Sequence, residues 1–250
     1  MLPLLPFVIC IIAYGLTSYI RHLENPKDRL VPTVTELADG LQRTALPYKG
    51  ENRLLADTIA SALRFLIGVT LLFLGVIFGL HIAMLPYIES LFYRFLLFID
   101  KIPALAVLAI LYLVLGTGEV MKITLIVIGV MPTIILDTYL RAKAVPREQI
   151  TKAMTLKASN FEIMYRIVLP RIFPKVLDTI RLNFKAVILF LIAGEWIGAE
   201  VGIGYRIFLS RRMVDMAVII PYVIWISFLA FLADLAMRMW VKWRYPWLDK

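Results

Sequence analysis

Cysteine and histidine are scarce in this chain of 250 residues, which contains one cysteine and two histidines. A single cysteine, Cys10, excludes an intrachain disulfide framework and a metal site built from cysteines. His22 lies near the end of one apolar run, and His81 lies within or at the end of another. Packing at a membrane interface is the favoured interpretation of both histidines, so the sequence predicts no metal site.

Nucleotide-binding and catalytic signatures are also absent from the sequence. There is no G-x-x-x-x-G-K-[ST] motif, so this chain cannot hold ATP phosphates as a P-loop ATPase does. There is no H-E-x-x-H or G-x-S-x-G motif, and no pair of membrane aspartates in a protease-like motif, which excludes the common intramembrane enzymes. The sequence therefore predicts a chain that is not an enzyme and has no cofactor of its own.

Apolar residues dominate what is present: 61% of the residues are hydrophobic, and the mean hydropathy is +0.82. Soluble domains contain about 45–50% apolar residues, and one membrane span needs about 20 residues. The sequence predicts an all-α integral membrane protein with about six transmembrane helices in one domain, residues 1–250. The predicted spans cover residues 2–20, 65–85, 91–115, 123–140, 178–197 and 216–237.

The first predicted span has no positively charged segment before it and no small-x-small cleavage site after it. We therefore expect it to be retained rather than removed as a signal peptide. The stretch 21–64 carries nearly balanced charges, which indicate neither side of the membrane. Within this stretch Thr33 precedes apolar residues at helical spacing, a pattern that predicts a short surface helix capped by Thr33.

The formal net charge is +9, and the basic residues crowd into loops beside apolar segments. Residues 141–185 contain ten basic and three acidic side chains, which places this stretch in the cytoplasm by the positive-inside rule. The tail after residue 237 combines basic residues with tryptophans and is interpreted as a cytoplasmic interfacial anchor, and the turn 116–122 is predicted outside. This distribution gives no reason to expect nucleic-acid binding.

A polar stretch at residues 146–170, the 146–170 loop, interrupts the apolar sequence. Pro146 predicts the start of a first short helix. Ser159, followed three residues later by Glu162, forms a capping box that predicts a second helix. Pro170 is expected to end that second helix. The first helix is predicted to carry one apolar face, formed by Ile150, Ala153, Met154 and Leu156.

The 146–170 loop resembles the cytoplasmic coupling-helix loop of permease subunits of bacterial binding-protein-dependent ABC importers. That loop reads roughly E-A-A, three residues, G, about nine residues, then I-x-L-P. Here Thr151 replaces the glutamate, Lys152 the first alanine and Lys157 the glycine. The resemblance implies docking on an ATPase subunit, with Ala153 at the centre of the contact. The implied coupling residues are Thr151, Lys152, Ala153, Leu156, Lys157, Ala158, Ser159, Ile167, Leu169 and Pro170.

Further motifs resemble the nitrate, taurine and alkanesulfonate branch of this family, and the similarity runs from about Leu55 to the C-terminus. The matching residues are Ile102–Pro103 for the end of R-P-I-P, Gly116, Gly118, Glu119 and Lys122 for G-x-G-E-x-x-K, Glu195 for the glutamate of A-E, and Gly202–Tyr205 for G-L-G-Y.

The resemblance implies a type I ABC importer permease, multi-pass in the bacterial inner membrane. Its implied partners are a second permease copy in a homodimer, two cytoplasmic ATPase subunits that use ATP and Mg, and an extracytoplasmic binding protein. The implied solute is a small organic or inorganic anion such as a sulfonate or nitrate, although the branch includes carriers of neutral heterocycles. Two other hypotheses are a secondary transporter driven through Glu195 and Asp137, which inverted repeats would support, and a membrane scaffold without transport.

Charged residues within or at the ends of spans must face protein or a water-filled path, because charge in lipid is costly. They are Asp100, Lys101, Asp137, Glu195 and Asp234. We expect Asp137 to pair with Arg141, and Asp234 with Arg238, each one turn further along the helix. Glu195 either lines the pathway or fixes the turn at Gly194–Gly198, and Asp100 and Asp137 are further pathway candidates.

Lys157 stands where the related loops have glycine. Because lysine prefers ordinary helical backbone angles, we expect the first loop helix to run on through Lys157 and to end at Ala158 or Ser159. The ammonium group would then face an acidic patch on the ATPase subunit.

Overall fold

The computed structural model describes residues 5–25, 28–46 and 52–249, and every regular element within these ranges is helical. This confirms the predicted all-α fold, while residues 2–4 of the first predicted span lie outside the described residues. The helices are α1 (Leu5–Glu24), α2 (Val34–Ala45), α3 (Arg53–Met84), α4 (Pro86–Ile99), α5 (Ala104–Leu115), α6 (Glu119–Lys143), α7 (Arg147–Thr155), α8 (Asn160–Glu162) with a π-helical continuation (Ile163–Val168), α9 (Leu169–Leu182), α10 (Phe184–Gly198), α11 (Ile203–Arg212) and α12 (Met216–Arg244), followed by a 3-10 turn (Pro246–Asp249).

Three of the described helices, α3, α6 and α12, are each long and apolar enough to cross a membrane. Two bent pairs, α4 with α5 and α10 with α11, meet the same criteria together. By length and composition, the described part of the chain therefore contains three to five candidate spans. The six-span topology stays a prediction.

The predicted third span, 91–115, is not one helix, because α4 and α5 meet at 97°. Pro103 precedes α5 as its N-cap and cannot continue a helix from α4. Asp100, the last residue before the bend, accepts a hydrogen bond from the hydroxyl of Thr133 at 2.9 Å. Lys101 pairs with the same carboxylate at 3.1 Å. Polar partners within the protein thus stabilise the break.

The predicted fifth span, 178–197, is also divided. α9 ends at Leu182 and α10 begins at Phe184. Asn183 lies between them and donates its side-chain amide to the carbonyl of Thr179 at 2.9 Å. Asparagine side chains that bond to nearby backbone compete with helical hydrogen bonds, which accounts for a break that hydrophobicity alone does not predict.

The chain divides into two compact units, Met1–Ser61 with Glu200–Phe228 and Ala62–Ala199 with Leu229–Lys250. In the first unit, Thr33 and Glu36 form a reciprocal capping box at the start of α2, as predicted. Gly40 of α2 lies against α12, where an added Cβ would be 2.1 Å from the carbonyl oxygen of Ala217. Close backbone contact at a glycine therefore holds α2 on this unit.

In the second unit, α6 packs against α5, α9 and α10. Lipid tails are as apolar as leucine, so helices in a membrane associate through close packing rather than through exclusion of water. A Cβ at Gly79 would lie 2.5 Å from the carbonyl oxygen of Ile135, and one at Gly129 would lie 2.3 Å from the ring of Phe190. The buried core includes Leu72, Leu80, Ile126, Ile134, Val176, Ile180 and Val187.

Candidate functional site

The apolar residues of α7 are divided between two sides of the helix. Ala153 is buried and packs with Ile150 against the core of its own unit. Met154 is exposed, and Leu156 is 84% exposed. The small side chain of Ala153 therefore lets α7 pack closely on its own chain. Its place at the centre of the ATPase contact stays a prediction. The large exposed side chains of this helix end are Met154 and Leu156.

Lys157 adopts a left-handed backbone conformation, with φ of 61°. The prediction that α7 runs on through Lys157 is therefore wrong, and α7 ends at Thr155. The Lys157 N–H donates to the carbonyl of Met154 at 2.9 Å, and the Ala158 N–H donates to the carbonyl of Ala153 at 3.0 Å. Both bonds satisfy helix-end carbonyls, which offsets the ~1–2 kcal/mol that a left-handed conformation costs a non-glycine residue.

The second half of the 146–170 loop begins at Ser159, as predicted. The Ser159 hydroxyl accepts from the N–H of Glu162 at 3.2 Å, and the Glu162 carboxylate accepts from the N–H of Ser159 at 3.0 Å. The hydrogen bonds from Ser159, that of its backbone first, hold the pKa of Glu162 below its usual value. Phe161 in this turn is 65% exposed. The exposed apolar loop residues are thus Met154, Leu156 and Phe161.

Helical backbone continues through Pro170, contrary to the prediction that the proline ends it. A π-helical segment, Ile163–Val168, ends two residues before Pro170, and the Leu169 N–H bonds to the carbonyl of Met164, five residues back. Pro170 is the second residue of α9 and follows a turn that is wider than an α-helical turn. Ile167 and Leu169 pack against the core.

Two aspartates in long helices form ion pairs. Asp137 pairs with Arg141 at 2.6 Å, as predicted. Asp234 pairs with Arg181 of α9 at 2.8 Å rather than with Arg238, the partner expected from helical spacing. Arg181 is partly buried and needs a nearby counter-charge. An ion pair between α9 and α12 therefore forms instead of the expected pair within α12.

A buried ion cluster, the Arg64 cluster, joins α3, α6 and α10 within the second unit. Arg64 Nη1 donates to Glu195 at 2.7 Å, and its Nε and Nη2 donate to the two carboxylate oxygens of Glu119 at 2.6 and 2.8 Å. The ammonium of Lys122 donates to Glu119 at 2.8 Å. The cluster contains two cations and two carboxylates, and such neutrality is what allows charges to be buried.

Glycines let α10 approach the Arg64 cluster. A Cβ at Gly194 would lie 3.3 Å from Lys122 Cα, and one at Gly198 would lie 2.9 Å from the carbonyl oxygen of Thr117. Glu195 lies between these glycines and is fully buried. A role for Glu195 in lining a pathway, like those of Asp100 and Asp137, stays a prediction.

A second buried carboxylate, Asp57, organises the first unit. It accepts hydrogen bonds from the Gly202 N–H at 3.0 Å, from Arg206 Nε at 2.8 Å and from the Tyr222 hydroxyl at 3.0 Å. The Ser61 hydroxyl accepts a hydrogen bond from the backbone N–H of Ile203 at 2.9 Å. Gly202 has φ of 145°, a conformation that favours glycine. The G-L-G-Y-like motif thus begins α11 at a buried acceptor.

The net charge of the stretch 21–64 does not point to Asp57 or Arg64, because acidic and basic residues nearly balance there. The spacing of the polar residues in this stretch does indicate a role inside the protein. Asp57, Ser61 and Arg64 recur at helical spacings of four and three residues, which places polar groups along one side of a helix. Since that helix continues into an apolar span, such a stripe must face protein rather than lipid.

Comparison with known proteins identifies the family. Residues 72–249 match the model of binding-protein-dependent transport system inner membrane components. The taurine transport system permease protein TauC of Escherichia coli (strain K12) is 25% identical over 180 residues, which are 70% of this chain and 66% of that protein. The formylaminopyrimidine transport permease protein ThiX of Halalkalibacterium halodurans is 27% identical over 185 residues, which are 71% of this chain and 72% of that protein.

A solved structure shows the same fold. The MetNI methionine ABC transporter in inward-facing conformations has a chain that aligns with a TM-score of 0.66 and 15% identity, covering 79% of this chain and 98% of that chain. The family match extends over more than half of the sequence, includes the 146–170 loop and confirms the predicted transport class and inner-membrane location. The chain therefore belongs to the family of binding-protein-dependent transport system inner membrane components.

Proposed function

We propose that this chain forms the translocation pathway of an ATP-driven importer, which receives a small solute from an extracytoplasmic binding protein. Two copies of the chain enclose one pathway and stand on two cytoplasmic ATPase subunits, where ATP and Mg bind. Closure of the ATPase pair moves the 146–170 loops, and the spans then change between inward- and outward-facing states. This alternation needs two states of different stability rather than chemistry in this chain.

The exposed apolar side chains of the 146–170 loop carry the proposal. Leu156 is 84% exposed and Phe161 is 65% exposed, in a stretch whose basic excess favours the cytoplasm. Large apolar side chains that face water are typical of contacts with another protein. The hydrogen bonds at Lys157 and Ser159 fix the backbone on both sides of this surface, so a partner meets a preorganised loop.

The loop is also tied to the helix that follows it. Arg171 of α9 donates a hydrogen bond to Gln149 of α7, and helical backbone runs from Asn160 to the end of α9. A displacement of the loop by the ATPase is therefore transmitted to α9 in the second unit.

The proposed solute is a small organic or inorganic anion, such as a sulfonate or nitrate. The names of two relatives refer to taurine, which is a sulfonate, and to a formylaminopyrimidine, which is a heterocycle.

Co-purification with the ATPase and binding protein encoded beside this chain tests the proposal. We expect a stable complex whose ATP hydrolysis rises when solute-loaded binding protein is added. An ATPase that does not associate, or a hydrolysis rate unaffected by the loaded binding protein, would contradict the proposed function.

A further inference from the structure

Glu119 binds Arg64 through both carboxylate oxygens, at 2.6 and 2.8 Å. The Nε–Nη2 edge of a guanidinium makes such paired hydrogen bonds with groups that carry two oxygens on one atom, and sulfonate, nitrate and carboxylate all share this feature. Lys122 adds a third donor, 2.8 Å from the same carboxylate. Three nitrogens thus form a receptor for an oxyanion, and the chain's own carboxylate fills it.

The two carboxylates of the Arg64 cluster differ in exposure. The Glu195 side chain is 0% exposed, whereas the Glu119 side chain is 56% exposed. Glu195 is therefore the permanent counter-charge, and Glu119 is the one that can exchange with solution. When Glu119 leaves, the negative charge beside the buried cations Arg64 and Lys122 falls by one. Loss of a counter-charge beside buried cations is costly, and a second anion restores it.

The backbone around Glu119 leaves room for this exchange. Glu119 is the first residue of α6 and follows a turn in which Gly116 has φ of 72°. A Cβ added to Gly116 or to Gly118 would meet no atom within 4 Å. Several side-chain torsions separate the carboxylate from the backbone, so it can move into solvent without displacing α6.

We infer that Arg64 and Lys122 form an oxyanion-binding site, which Glu119 occupies at rest and which the anionic group of the transported solute occupies in exchange for Glu119. The inference rests on the proposed transport function and gives it a substrate class, small solutes with a sulfonate, nitrate or carboxylate group. A neutral solute of the same shape does not bind, because it cannot replace the displaced charge.

Binding of methanesulfonate to the purified permease–ATPase complex in lipid nanodiscs, without the binding protein, tests the site by equilibrium dialysis. Dimethyl sulfone, a neutral molecule of nearly the same shape, is the matched ligand. In the parent, Glu119 competes as a tethered anion at an effective concentration in the millimolar range. Glu119→Gln removes this competitor, so we expect methanesulfonate affinity to rise on the order of tenfold while dimethyl sulfone binding is unchanged.

Two further variants control the result. Glu24→Gln removes an exposed carboxylate from α1 and should leave methanesulfonate affinity at the parent value. Adding Lys122→Gln to Glu119→Gln removes one donor and should reverse most of the gain. If Glu119→Gln does not yield an assembled complex by size exclusion, Glu119→Asp is used, whose shorter side chain cannot keep all three contacts and should give a smaller gain.

The inference is overturned if neither Glu119 variant gains affinity for methanesulfonate, or if dimethyl sulfone gains equally. ATP-driven uptake by the parent is measured in parallel, so that the oxyanion site and the proposed transport function are tested separately. Uptake without any gain in the Glu119 variants refutes the oxyanion site and leaves the proposed function standing. A gain without uptake supports the site and refutes the proposed function.

Discussion

The backbone N–H of Ala158 donates a hydrogen bond to the carbonyl oxygen of Ala153 at 3.0 Å, across a lysine in the left-handed conformation. Helices that end in this way usually place glycine at the left-handed position. Here the two backbone bonds end α7 without glycine, so the loop geometry is determined by hydrogen bonding rather than by the residue at 157. That geometry leaves Leu156 exposed.

Lys157→Gly should stabilise the end of α7. Glycine avoids the ~1–2 kcal/mol cost of the left-handed conformation, while its greater freedom in the unfolded chain opposes this by ~0.5–1 kcal/mol. We expect a net gain of about 0.5–1 kcal/mol, measured by hydrogen exchange at the Ala158 amide. Lys152→Gly, inside the same helix, should lose about 1 kcal/mol. Losses of the same size in both variants would show that the left-handed conformation is wrong.

Leu156→Asp should weaken binding of the ATPase subunit at least about tenfold, since an apolar anchor at the centre of an interface contributes roughly 2 kcal/mol or more. The thermal stability of the chain itself should not change, because the side chain is largely exposed. Val34→Asp is the matched control, as Val34 is an exposed apolar residue on α2. Equal binding by both variants and the parent would place the ATPase contact elsewhere.

Asp57→Ala should destabilise the chain by roughly 3–5 kcal/mol, because it leaves the partly buried Arg206 without its counter-charge. Arg206→Ala added to Asp57→Ala should recover part of that loss, since no unpaired charge remains. Calorimetric unfolding of the solubilised chain measures Asp57→Ala, Arg206→Ala and the double variant. A double variant whose loss equals the sum of the single losses would show that the two groups are not coupled.

The cap at Ser159 should depend on pH through Glu162. The pKa of this carboxyl is lower in the folded chain than in the unfolded chain, chiefly because the Ser159 backbone donates to it. Its stabilising effect is therefore complete above the unfolded pKa and is lost as the pH falls through the folded pKa. Protection of the Ser159 amide should decline in that range, and Glu162→Gln should remove the decline. A parent and variant with the same pH profile would contradict this coupling.

Local signals in the sequence predicted several features correctly. The capping boxes at Thr33 and Ser159 depend on residues three positions apart, which sequence alone displays. The apolar runs of α3, α6 and α12 were recognisable from hydropathy, and Asp137 pairs one turn along its own helix as expected. Each of these features depends on neighbours along one helix.

The features that the sequence did not predict depend on contacts between distant residues, or on the balance between backbone strain and backbone hydrogen bonds. Propensity argued against a left-handed Lys157, but two backbone hydrogen bonds outweigh it. The π-helical segment before Pro170 depends on a hydrogen bond to the carbonyl five residues back, which the proline alone does not indicate. Asp57 finds its partner in Arg206, 149 residues away, and no local pattern reveals that pairing.

Solute accumulation in proteoliposomes that contain this chain, the ATPase subunit and the binding protein tests whether this chain carries out ATP-driven import. We expect accumulation only when ATP and Mg are present on the side of the ATPase, and a large loss in Leu156→Asp but not in Val34→Asp. Accumulation driven by an ion gradient in proteoliposomes without the ATPase would contradict it.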